Sequence, residues 1–205
     1  HYGGNATTIS RNLNISKERG EIIEKNYLNS FPGIHAYFKK VKAEARKNGY
    51  VLISEKTGHK RFIYGIENIR ELEKKFTKKY WDIYKIEKKK NSRLFLEVLK
   101  PEVSHYFQKT GEIDRIALNT PVQGTAAQIT KLAGIYLFEE LKKRNLLFKV
   151  LICNIVHDEI LIECPEEIAT EMAELVQNSM EKAGEYFVKV VKLKAVPEIG
   201  KYWIH

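Results

Sequence analysis

The chain has 205 residues, 43% hydrophobic and 30% charged, with a formal net charge of +9. That composition is globular, with room for one or two cores, and no apolar run is long enough to span a bilayer. The positive balance favours a polyanionic partner, nucleic acid ahead of an anionic membrane surface, although many solvated proteins are mildly basic. Two cysteines without a CxxC spacing, Cys153 and Cys164, read as buried thiols in a reducing, cytoplasmic setting.

The chain opens His1-Tyr2-Gly3-Gly4, with no initiator Met, and reads as a piece of something longer. Residues 7–14 predict a short helix. Ser16 is a natural N-cap for a second helix over 17–29, which Phe31-Pro32-Gly33 breaks. A third helix over 34–47 stops at Asn48-Gly49. Residues 50–53 and 61–64 read as the strands of a hairpin around Lys56 to His59. Residues 68–109 alternate lysines with Phe76, Tyr80, Trp81, Tyr84 and Phe95, too aromatic for a disordered linker. They predict helices with a basic outer face, which is either solvated or in contact with nucleic acid. A long helix follows, from Arg115 or Pro121 through Leu141. Strands at 150–156 and 160–164 flank a polar turn, and Cys153 and Cys164 on its two arms are candidate cross-strand neighbours. An amphipathic helix over 166–183 packs Ile168, Met172, Leu175, Val176 and Met180, and residues 187–193 read as a last strand.

Two polar signatures carry chemistry. The first is His157-Asp158-Glu159, set between apolar strands in the turn of a hairpin. Adjacent carboxylates on a bent backbone suit Mg²⁺ or Mn²⁺, which bind through one or two carboxylates plus substrate phosphates. A polar hairpin turn is also, by itself, simply a solvated turn. The second is Arg115, Asn119 and Gln123, four residues apart, which on a helix form one stripe of donors able to sense a minor groove. Pro121 complicates that stripe, and Asn119-Thr120-Pro121 also fits an N-terminal cap.

Arg115-x-x-x-Asn119-x-Pro121-x-Gln123-Gly124-x-Ala126-Ala127, followed by Val156-His157-Asp158-Glu159, resembles the C-terminal part of a family A DNA polymerase of the bacterial polymerase I type. Tyr2-Gly3, Tyr27 to Gly33, Gly49-Tyr50-Val51 and Gly200 to His205 resemble that family in the same order. Residues 68–109 stand as an expansion, and Ile155 and Gln128 depart from the usual Gln and Asp. The resemblance implies an α/β fold: helical fingers over 1–114, then part of a palm over 115–205 with an antiparallel hairpin carrying His-Asp-Glu. It implies that Asp158 is a catalytic metal ligand with Glu159 as its supporting carboxylate. It also implies that Tyr2, Arg115, Asn119, Gln123 and His157 contact primer–template DNA.

The implied partners are primer–template DNA, deoxynucleoside triphosphates, two Mg²⁺ ions (or Mn²⁺) and the N-terminal portion of the same polymerase, with no membrane. Asp82, Asp114 and Asp158 are the only aspartates. The family's first palm aspartate and its triphosphate-gripping fingers helix have no counterpart here. The expectation is therefore a polymerase segment, inactive alone; a split gene, an intein-interrupted gene and a trimmed chain all stay open. The alternatives are a non-catalytic nucleic-acid-binding or assembly module and, more weakly, a phosphohydrolase using the turn alone.

Overall fold

The structure is a computed structural model that describes residues 6–203. They divide into two compact units at the Pro121–Val122 peptide. In the first unit, α1 (Ala6–Leu13) and α2 (Lys17–Ser30) are joined through Asn14 in the left-handed region. Ser16 caps α2 by accepting from the Arg19 N–H at 3.3 Å. Gly20 permits the two helices to touch, because a Cβ there would lie 2.5 Å from the Ala6 carbonyl oxygen. Pro32 opens α3 (Pro32–Asn48), where a missing N–H costs nothing. Gly49, at φ +75°, closes it by donating to the Ala45 carbonyl.

A small antiparallel sheet follows, β1 (Tyr50–Leu52) on β2 (Lys60–Phe62), with Val51 opposite Arg61. Val51, Ala45, Ile63, Ile113 and Ala117 share a core with Ile66 and Ile69 of α4 (Ile66–Lys75). Thr77 caps α5 (Lys78–Lys90), which ends at Asn91 in the left-handed region. A π-helical turn, Phe95–Leu99, leads into α6 (Lys100–Lys143). Tilted and edge-on rings tie these helices together: Phe76 lies 4.7 Å from Tyr80 and 5.0 Å from Tyr106, and Tyr84 lies 5.4 Å from Phe95. The Tyr80 hydroxyl donates to Glu102, and the Tyr106 hydroxyl donates to Glu73.

Pro121 neither starts nor ends α6; it lies inside a helix of 44 residues, so the expected start at Arg115 or Pro121 is corrected. Proline's fixed φ is helical, and the loss is one N–H, normally bonded to the carbonyl four residues back. The preceding turns are held independently. Ile113 and Ala117 are buried in the core, and Asp114 takes Arg46 at 2.7 Å and Lys42 at 3.6 Å. Asn119 and Thr120 are therefore mid-helix residues, and no cap forms there.

In the second unit the end of α6 packs with a hairpin, β3 (Leu151–Val156) on β4 (Glu159–Glu163), and with α7 (Ala169–Phe187). Leu137, Leu141, Val150, Met172, Leu175 and Val176 form the core. The register slips between Ile152 and Asn154, so Cys153 falls at a bulge and is exposed. Cys164 follows the last pair and is half-buried. The two thiols are free and are not cross-strand neighbours, and Cys153 is not a buried one. The last strand expected over 187–193 is also corrected. Phe187 completes α7, Val188 donates back to the Gly184 carbonyl, and residues 188–203 form no strand. Their β-branched residues have no ladder to join: among the described residues each sheet has two strands. The described residues are thus mostly helical with two small antiparallel sheets, rather than an α/β layer.

Candidate functional site

Val156 pairs with Glu159, so the β3–β4 turn holds two residues, His157 and Asp158, and Glu159 is already the first residue of β4. His157 sits at φ +51°, a left-handed conformation that His tolerates better than most residues. His157, Asp158 and Glu159 are all exposed.

Helix α6 supports this turn from beneath. Thr130 is buried, and its hydroxyl lies 3.1 Å from the Ala126 carbonyl oxygen and 3.3 Å from that of His157. One proton is shared between two acceptors, one in its own helix and one in the turn. One helical turn further on, Gly134 faces β3: a Cβ there would lie 3.2 Å from Ile155 Cδ1. Neither Thr130 nor Gly134 stood out in the sequence. The available signal was two small residues four apart among apolar ones in α6.

Arg115, Asn119 and Gln123 share α6 at four-residue spacing. Arg115 and Gln123 are exposed and Asn119 is half-buried. Arg115 and Asn119 precede the division between the two units and Gln123 follows it. None of the three side chains makes a hydrogen bond or ion pair with another described residue. Tyr2 lies outside the described residues.

Asp158 and Glu159 offer anionic oxygens at an accessible turn, the donor type that a hard divalent cation takes. Among the described residues no three His, Cys, Asp or Glu side chains gather as a metal-binding group. Asp114 is engaged by Arg46 and Lys42, and Asp82 is exposed on α5. The turn therefore fits part of a metal site. Among the described residues, no helix is long and apolar enough to cross a membrane.

The family model described as DNA polymerase family A matches residues 1–205, and the chain belongs to that family. DNA polymerase I of Lactococcus lactis is 31% identical over 98% of this chain, and that of Bacillus caldotenax is 32% identical over 98%. The thermostable DNA polymerase I of Thermus thermophilus is 29% identical over 99% of the chain. The chain spans 18–19% of the length of these relatives. Among solved structures, the POL domain of Pol1 from M. smegmatis, in complex with DNA primer–template and dNTP, is similar with a TM-score of 0.62 and 27% identity. That match covers 89% of this chain and 25% of the other.

Proposed function

We propose that this chain is the C-terminal part of a DNA-directed DNA polymerase and carries one half of its catalytic carboxylates. The observation that supports this most is the family match over the whole chain, with His157 and Asp158 on a hairpin turn that α6 supports and Glu159 next to them at the start of β4. In this reading the primer 3′-hydroxyl attacks the α-phosphate of a deoxynucleoside triphosphate and pyrophosphate leaves. Asp158 holds a divalent metal, and Glu159 supports it. The chemistry Mg²⁺ supplies when bound is stabilisation of the attacking and leaving oxygens in an in-line displacement. His157 stands near the primer terminus. Arg115, Asn119 and Gln123 use their free donors on the minor groove of the primer–template, and Tyr2 lies beside the templating base. The remaining metal ligand and the triphosphate grip come from the N-terminal portion of the polymerase.

Asp158→Asn in the complete polymerase tests this. Asn keeps the shape and loses the charge that a hard cation requires. Single-turnover extension at saturating Mg²⁺ is expected to fall by several kcal/mol of barrier, on the order of 10³-fold, with duplex affinity and the thermal melt nearly unchanged. Glu159→Gln is expected to be milder. Near-normal turnover by Asp158→Asn overturns the assignment.

A further inference from the structure

We propose that the outward face of α5 is a docking surface for the phosphate backbone of duplex DNA, separate from the primer–template contacts assigned to α6. The choice of DNA as occupant rests on the polymerase reading; the surface itself stands on its own geometry.

The inner face of α5 packs through half-buried rings. Trp81 lies 5.4 Å from Phe76 and 5.6 Å from Tyr84, which in turn meets Phe95, and Tyr80 bonds Glu102. Thr77 and Asn91 fix the two ends of the helix. A helix packed and capped in this way turns its opposite face to solvent. That other face carries Lys78, Lys79, Lys85 and Lys89, all exposed, with Asp82 as the one acid among them. None of these four lysines has an ion-pair partner among the described residues.

Some lysines elsewhere on the surface are compensated within their own helix. Lys17 pairs with Glu21, Lys40 with Glu44, Lys109 with Glu112 and Lys143 with Glu140, each within one helical turn. On α5 four exposed lysines without an ion pair lie along one helix, two of them towards each end. From Lys78 to Lys89 the helix rises about 16 Å. A DNA duplex offers about one charge per 1.7 Å of axis, so several phosphates lie within reach of such a stripe. An anionic membrane would also attract the lysines. However, Ile83 and Ile86 are the only large apolar residues on that face, and the aromatic side that could enter a bilayer is packed inward. An interfacial helix needs a broad apolar face.

The test uses the 205-residue chain and a mixed-sequence duplex, with affinity measured across a salt series. The triple variant Lys78→Gln, Lys85→Gln, Lys89→Gln is compared with Lys17→Gln, Lys40→Gln, Lys143→Gln, which removes the same charge elsewhere. Loss of three phosphate contacts flattens the slope of log affinity against log salt by about 2.7. The expected result is that change in the α5 variant and little in the other, with equal melts. Equal flattening in both reduces the effect to net charge and overturns the proposal, as does an unchanged slope or a wild-type chain that does not bind the duplex. If the α5 variant loses binding to phosphatidylserine vesicles but keeps the duplex slope, the occupant is a membrane and the proposal also falls. The Asp158→Asn result in the complete polymerase is independent of every one of these outcomes.

Discussion

Thr130 shows how a single hydroxyl can connect a helix to a hairpin turn. A threonine inside a helix commonly bonds the carbonyl four residues back, as Thr130 does with Ala126. Here the same hydroxyl also reaches the His157 carbonyl, 27 positions along the chain. His157 holds a left-handed conformation that nothing in its side chain enforces, so this second contact helps to keep the turn in place. Thr130→Val preserves shape and removes the donor. The expected cost is about 0.5–1.5 kcal/mol in a chemical melt. Hydrogen exchange at the Asp158 and Glu159 amides should accelerate, and Thr130→Ser should restore protection. Wild-type exchange in the Val variant would show that the contact with His157 does nothing. The motif His157-Asp158-Glu159 was legible in the sequence because apolar strands flank it. Thr130 and Gly134 were not, because spacing along one helix does not reveal which strand lies against it. The placement of Glu159 also escaped, since where a tight turn ends depends on the pairing register, and that register was not visible in composition.

At the scale of elements, the legible features were those with local causes. Ser16 caps α2 and Gly49 ends α3 because their own chemistry satisfies helix ends. The misread elements depended on partners. Residues 187–193 have strand composition, and β propensity is largely a matter of finding a neighbouring strand. Pro121 suggested a helix start, but packing on both sides of it continues α6. The lysine-rich segment was recognised as helical from its aromatics, yet their pairing was not. Tyr80 gives a measurable consequence of that pairing. Burial, followed by its hydrogen bond to Glu102, pushes the Tyr80 phenol up to about 12 from an ordinary value of 10.0. Tyr106 moves in the same direction, chiefly through burial. A raised folded-state value means that the neutral phenol is favoured by the fold. The Tyr80 contribution is therefore complete below pH 10 and is lost as pH rises from about 10 towards about 12. Tyr80→Phe cannot ionise, so its stability should fall less steeply over that window than that of the wild type. Parallel curves from denaturant melts at stepped pH would reject the role given to the Tyr80–Glu102 pair.

For the whole molecule, the proposed polymerase reading turns on how few aspartates are placed to hold a metal. Bridging two ions requires acidic groups from more than one place. Of the three aspartates, Asp114 is committed to Arg46 and Lys42, Asp82 stands on the outer face of α5, and Asp158 alone occupies a hairpin turn. Glu159 adjoins Asp158, and among the described residues no third metal-binding group approaches them. Each unit nevertheless has its own buried core, so the chain is expected to fold without forming a complete catalytic centre. The 205-residue chain should therefore bind a primer–template duplex yet show no template-dependent extension, with Mg²⁺ or with Mn²⁺. Adding the N-terminal portion of the polymerase should restore extension, and should fail to do so when the chain carries Asp158→Asn. Primer extension resolved to single nucleotides measures this directly. Templated incorporation by the chain alone would mean that the turn and its surroundings suffice for catalysis, and the division of the active site between two portions of the polymerase would be wrong.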